Sequence, residues 1–362
     1  MPTASLVARR RLAAQSLVGP PLATPADVVA RLGAVQAQDY AGAKWALAQR
    51  SAGATDADVE RAFADGAILR THVLRPTWHF VAPADIRWML ALTGPRVRAL
   101  MTSYDRTLGL TDDVYRRSHA AIAQALEGGR TRERGELAEA LGAAGIDTAG
   151  TQRLAHLVMR AELDGVVCSG PRRGSQSTYA LLDERVAPAA PIERDDALGR
   201  LTARYFTTRG PATLQDFAWW SGLTVADAKR GVEIVGDALV RETLDGRAHW
   251  HGASAPEPGE PTGIAHLLPN YDEQFIGHRD RAAVLGRMAH LSSEQRSAAL
   301  WGHVVAIDGE LVGGWKRAPS KRGVVVTYDL PARLRRGERA AIAAAEARYA
   351  TFLGVPVTRA AR

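Results

Sequence analysis

The sequence predicts a mainly α chain with small β-hairpins, an α+β fold of three tandem winged-helix units followed by a C-terminal mixed β section. Three observations carry that expectation. Amphipathic stretches with apolar residues at helical spacing recur along the chain. Each group of them is closed by two short extended runs around a turn. A Pro/Ala stretch at 186–191 and a Pro/Glu stretch at 256–261 part the later groups.

The first unit covers 1–110. Helices are expected near 4–17, 25–35, 42–51 and 56–66. Thr24 caps the second of these and Pro25 opens it. Extended runs at 67–73 and 77–81 follow, parted by Arg75-Pro76, and Pro83 opens a further helix. In the second unit, 111–185, Thr111-Asp112-Asp113 caps a helix to about Leu126. A shorter helix begins near 131, and Gly150-Thr151 opens a third with Leu154, Leu157, Val158 and Ala161 at core spacing. Strands at 165–170 and 177–182 flank a basic turn at 171–175. Helix-helix-helix-strand-turn-strand is the order of a winged helix, and a basic tip suits a wing that faces DNA.

The third unit, 192–255, repeats the pattern. Helices are expected near 193–208, 213–221 and 224–236, then a hairpin turning at Asp245-Gly246. The C-terminal section, 262–362, reads as a hairpin at 304–315 turning at Asp308-Gly309. A basic turn at 316–323, a strand at 324–328 and a last helix at 337–352 follow.

Composition narrows the function classes. The chain has 362 residues, 46% hydrophobic and 23% charged, which is ordinary for a globular protein with a substantial core. There is no run of about 18 apolar residues, so no membrane span is expected. Arg9, Arg10 and Arg11 interrupt any apolar leader, so no secretory peptide is expected and the cytoplasm is the expected location. The single cysteine, Cys168, excludes an internal disulfide and zinc sites of the Cys-x-x-Cys kind. The net charge of +7 favours a polyanionic partner, nucleic acid first, although arginine-rich coding also raises the charge.

The most informative run is Val35-Gln36-Ala37-Gln38-Asp39. Glutamines at i and i+2 lie about 200° apart on a helix but on one side of an extended chain. The run is expected where a helix ends, with both amides aimed into one space. An amide does not titrate near neutral pH, so the pair holds a water or polar group rather than acting as a strong base. A helix cap plus a surface amide is the alternative reading.

Other candidates are weighed in the same way. In the run Thr77-Trp78-His79-Phe80-Val81, Thr77 and His79 share one face and Trp78 and Phe80 the other. The Trp78 face reads as core, and His72 and His79 as hydrogen-bonded residues rather than catalysts. Among the histidines, His249 and His251 are closely spaced, and nothing nearby completes a metal site, so no metal is expected. Trp219-Trp220 reads as packing before base stacking. Arg172, Arg173, Lys316, Arg317, Lys321 and Arg322 fall at expected hairpin tips, where solvation and phosphate contact compete as explanations. Asp272, Glu273 and Asp280 lie near Arg279 and Arg281, which points to ion pairing among them. No nucleophile motif, phosphate-binding loop or dinucleotide fingerprint is found.

Taken together these residues resemble the AlkZ/YcaQ-like family of bacterial winged-helix DNA glycosylases over nearly the whole chain. The resemblance rests on Val35-Gln36-Ala37-Gln38 and on Arg70-Thr71-His72 with Thr77-Trp78-His79-Phe80-Val81. It continues in Leu267-Leu268-Pro269-Asn270-Tyr271-Asp272, Gly277-His278-Arg279-Asp280-Arg281, Glu346-Ala347-Arg348-Tyr349 and Phe352-Leu353-Gly354. The family motif is Gln, an apolar residue, then Gln or Asp. It falls on Gln36, Ala37 and Gln38, with Ala37 small for the middle position. The resemblance implies a monofunctional glycosylase with Gln36 and Gln38 catalytic, acting on cationic N7- or N3-alkylpurines in double-stranded DNA and on interstrand crosslinks. It implies a DNA-approaching hairpin, placed here at Lys316 to Arg322, beside the wing arginines Arg172 and Arg173. No cofactor, no membrane and a monomer are expected. A non-catalytic winged-helix DNA-binding regulator is the alternative.

Overall fold

A computed structural model describes residues 3–150, 152–300 and 302–360. It is mainly helical with small sheets, as the sequence predicts. Thr24 and Asp27 form a reciprocal capping box at the start of the helix Pro25–Leu32. That helix ends earlier than expected, because Gly33 takes φ +80° and turns the chain into the strand Ala34–Gln36. The strand pairs antiparallel with Trp78–Val81, with Val35 opposite Phe80 and Gln36 opposite His79. Leu69–His72 pairs on the other side of Trp78–Val81. The expected hairpin is therefore part of a three-stranded sheet, and the Gln36 strand is its added edge. The helix that Pro83 opens runs to Thr107.

The next group holds the helices Asp112–Leu126, Arg134–Ala143 and Arg153–Leu163. The expected start at Gly150-Thr151 differs from this, and Thr151 itself lies outside the described residues. A short strand, Arg132–Glu133, joins Val167–Ser169 and Thr178–Leu181 in a second three-stranded sheet. Ile122, Leu126, Leu137, Leu141, Leu157 and Val167 fill a separate small core there. The helices Arg194–Arg209, Leu214–Ser221 and Val225–Val235 precede the hairpin Leu239–Leu244 with Arg247–Gly252. Its turn residues Asp245 and Gly246 both take positive φ, as a two-residue hairpin turn requires.

The C-terminal section differs most from expectation. Its sheet has five strands, ordered Val357–Arg359, Gly323–Asp329, Glu310–Ser320, His303–Ile307 and Ala265–Leu268. Lys316 and Arg317 belong to a long strand, not to a turn, and the turn shrinks to Lys321-Arg322. The helix Glu338–Leu353 packs on this sheet. One continuous core joins it to the N-terminal helices: Leu32, Val35, Leu47 and Phe80 cluster with Leu267, Val305, Trp315 and Phe352. Trp45 Nε1 donates to the carbonyl of Leu267 at 2.7 Å, stitching the two parts of the chain. The other face of the Gln36 sheet is covered by the group around Leu201, Tyr205, Phe217 and Trp220. The motif thus lies where three distant segments meet.

Candidate active site

Gln36 is buried and Gln38 exposed, so the motif runs from the interior to the surface. The Gln36 backbone N–H donates to Glu273 Oε1 at 2.9 Å. Its side-chain Oε1 accepts from Arg75 Nη2 at 2.8 Å. Ala37 continues the ladder, its N–H donating to the Trp78 carbonyl at 2.7 Å, while Arg70 Nε donates to the Ala37 carbonyl at 3.1 Å. Gln38 Oε1 accepts from the Trp78 backbone N–H at 3.3 Å. Asp39 caps the helix Tyr40–Ala48 through the Gly42 N–H.

Beneath Gln36 lies a charge network. Glu273 is buried and accepts through Oε2 from Arg209 Nε at 3.0 Å, Arg209 Nη2 at 2.7 Å and Trp220 Nε1 at 2.9 Å. Arg209, fully buried, also donates to the carbonyls of Leu32 and Ala34, each at 2.9 Å. Its guanidinium lies 4.2 Å from the Trp220 ring centre. Both oxygens of this carboxylate are occupied and its charge is balanced, so it is a brace rather than a base.

His79, opposite Gln36, is fully buried, and its Nδ1 lies 2.9 Å from the Thr77 carbonyl. That contact requires the proton on Nδ1. Burial first, then the charge of Arg75, holds the ring neutral well below its ordinary range. His79 Nε2 and the hydroxyls of Thr71 and Thr77 have no hydrogen-bond partner among the described residues. His72 meets Glu162, which also accepts from Trp78 Nε1 at 3.3 Å. Trp78 is half-buried, not core, and the Arg70 guanidinium sits 4.3 Å from its ring centre.

The ion pairs expected from Arg279 and Arg281 are not those formed. Asp272 takes both Nη groups of the buried Arg50, at 2.8 and 3.0 Å. Glu273 takes Arg209, and Asp280 takes Arg247. Arg50 and Arg209 win because they are buried beside Asp272 and Glu273, while Arg279 is exposed; Arg247 meets Asp280 at the surface. Trp220 is buried as expected. Trp219 is 41% exposed, its indole N–H donating to the Ile276 carbonyl.

The wing arginines are engaged within the protein. Arg172 donates to Glu60 at 3.2 Å and lies 4.6 Å from the Tyr40 ring centre. Arg173 donates to Glu136 at 2.8 Å. In the long hairpin, Lys316, Lys321 and Arg322 are exposed. Arg317 is half-buried, donating to Tyr349 Oη at 2.9 Å and reaching Asp39 at 3.4 Å. This hairpin is therefore tied at its base to the residue that follows Gln38. Sequence reading missed Arg75, Arg209 and Glu273 as parts of the site. Only the polar density of 267–275 marked one of them.

A Gln-Ala-Gln run that leaves the end of a short strand, braced from distant segments of a helical scaffold, is the core of this site. Residues 29–352 match the family described as DNA glycosylase AlkZ-like, and the chain belongs to that family; it is a DNA glycosylase. This displaces the alternative of a non-catalytic regulator. The chain is 28% identical over 309 residues to the interstrand DNA cross-link repair glycosylase of Streptomyces sahachiroi, covering 80% of this chain and 81% of that one. The structure of Streptomyces sahachiroi DNA glycosylase AlkZ matches with a TM-score of 0.80 at 26% identity, over 98% of this chain and 99% of that chain.

Proposed function

We propose that this glycosylase hydrolyses the N-glycosidic bond of cationic N7- or N3-alkylpurines in double-stranded DNA and unhooks interstrand crosslinks, with Gln36 and Gln38 as its catalytic residues. One observation carries the reading. Three acids that contact the motif or its partner strand are committed elsewhere: Glu273 to Arg209 and Trp220, Glu162 to His72 and Trp78, and Asp39 to a helix cap. A site offering amides rather than a free carboxylate suits a substrate whose leaving group is already activated. In an N7-alkylguanine the purine carries a positive charge. The electron pair of the breaking C1′–N9 bond neutralises it, water supplies the oxygen at C1′, and the water's proton passes to solvent. The amides place the water for attack at C1′. A crosslinked base is tied to both strands and does not swing freely into a pocket, so hydrolysis in place fits an exposed Gln38.

The three helical groups with their sheets act as winged-helix units that grip the duplex, and the enzyme works as a cytoplasmic monomer. Phosphate contacts are assigned to the exposed Lys316, Lys321 and Arg322, since Arg317 is held by Tyr349 and Asp39. Arg172 and Arg173 are weaker candidates, since carboxylates already hold them.

Single-turnover release of N7-methylguanine from duplex DNA tests the assignment. Gln36→Ala and Gln38→Ala are each expected to slow release by about 100-fold or more, with DNA affinity nearly unchanged. Full activity in the double variant overturns it.

A further inference from the structure

We propose that Arg75 is a positioning residue that fixes Gln36 as a hydrogen-bond donor in the reaction. This rests on the reading of Gln36 as catalytic. A glutamine amide has two ends, and its neighbours decide which end meets the substrate. A guanidinium only donates, so the group 2.8 Å from Arg75 Nη2 is the Gln36 carbonyl. The NH2 end is the one left for the site. Gln38 is oriented in the same sense, because its Oε1 faces the Trp78 backbone N–H, another group that only donates.

Arg75 is itself held in place. It lies in the turn between Leu69–His72 and Trp78–Val81. Its N–H donates to the Val73 carbonyl at 2.7 Å, and its carbonyl accepts from the Thr77 N–H at 2.7 Å, two three-residue turns in succession. Pro76 restricts the Arg75 backbone further. Leu74, with φ +65°, donates its N–H to Thr93 Oγ1 at 3.1 Å. The Leu74 carbonyl packs so closely on Gly222 that a Cβ there would meet it at 2.1 Å. The Arg75 guanidinium lies 5.5 Å from the ring centre of Trp219. A turn pinned from two helices aims this side chain at one amide.

The Gln36 backbone is fixed separately, by Glu273 and by the Arg209 bond to the Ala34 carbonyl. Loss of Arg75 therefore frees the amide end without releasing the strand. A donated N–H binds one lone pair of the attacking water and leaves the other for C1′. The water's proton is not taken by Gln36.

The test compares Gln36→Glu, Gln36→Ala, Arg75→Ala and Arg75→Lys, measuring single-turnover release of N7-methylguanine and duplex affinity for each. A carboxylate keeps the shape of the amide and accepts from Arg75 equally well, but it has no NH2 to present. Gln36→Glu is expected to be as slow as Gln36→Ala, about 100-fold or more below the parent. Arg75→Ala is expected to lower the rate at saturating DNA by on the order of 10- to 100-fold with affinity unchanged, and Arg75→Lys to restore most of it. Gln36→Glu at or above the parent rate makes Gln36 an acceptor and overturns the inference. So does an Arg75→Ala rate equal to the parent's. If Arg75→Ala fails to fold, the isosteric Gln36→Glu decides alone. Full activity in Gln36→Ala would instead sink the catalytic assignment on which the inference rests.

Discussion

Glu273 shows how much of this site is brace rather than reagent. It lies 237 residues from Gln36 in sequence and accepts that residue's backbone N–H. It also joins Arg209 and Trp220 from the third helical group to the motif strand. Both partners of the ion pair are almost fully buried, with side-chain exposures of 0% and 1%. Breaking such a pair by removing one charge leaves the other uncompensated, a loss of about 3–5 kcal/mol. Glu273→Gln is therefore expected to unfold at clearly lower denaturant, and an unchanged unfolding midpoint would contradict the buried pair. None of this was legible locally. Glutamines two apart announce themselves in any sequence window. The Arg209 and Glu273 that support them read as one more arginine and one more acid, because their partnership exists only after folding. Arg75 was read as a break between strands, since a turn's sequence does not say where its side chain reaches.

At the scale of elements, local chemistry was readable and long-range pairing was not. The capping threonines Thr24 and Thr111 mark helix starts because the cap bond closes within three residues. Gly33 ended its helix early through its own backbone freedom. The strands Ala265–Leu268 and Val357–Arg359 went unread. The first is buried on both faces, which erases alternation, and both pair with strands far along the chain. The long hairpin was misread for the opposite reason. Its strands run out beyond the core, where Lys316, Ala318, Pro319 and Ser320 are all exposed and show no period of two. The correction changes what is expected of its charges. Arg317 already serves Asp39 and Tyr349, so Lys316, Lys321 and Arg322 remain for phosphates. Replacing those three by Ala is expected to lower the salt slope of duplex binding by about three units, for damaged and undamaged DNA alike. An unchanged slope in a salt titration places this hairpin away from DNA.

For the whole molecule, the segments meet over neutral, buried histidines, and that makes the assembly sensitive to acid. His79 lies in the sheet that carries Gln36, and His266 in the strand beneath the last long helix. His278 has its Nε2 at 2.9 Å from the Arg209 carbonyl, linking the C-terminal section to the third helical group. All three are almost fully buried. Burial is the leading cause that pushes His266 and His278 down to about 3 and holds His79 well below its ordinary range. Nearby arginines push the same way: Arg348 and Arg50 for His266, Arg11 for His278 and Arg75 for His79. The unfolded chain, with histidines near pKa 6.5, binds protons first as pH falls. Stability is therefore whole above about pH 6.5 and declines below it, until the folded pKa is reached near 3. Each such histidine costs about 2 kcal/mol by pH 5, before most carboxylates begin to titrate. The expected result is a melting temperature well below the neutral value at pH 5 and constant ionic strength. His266→Gln removes one titrating group, so its melting curve should depend less steeply on pH than the parent's over pH 7 to 5. A parent melting temperature that stays level over that range would mean that these rings take up protons in the folded state, and that the segments do not close around them as the structure has it.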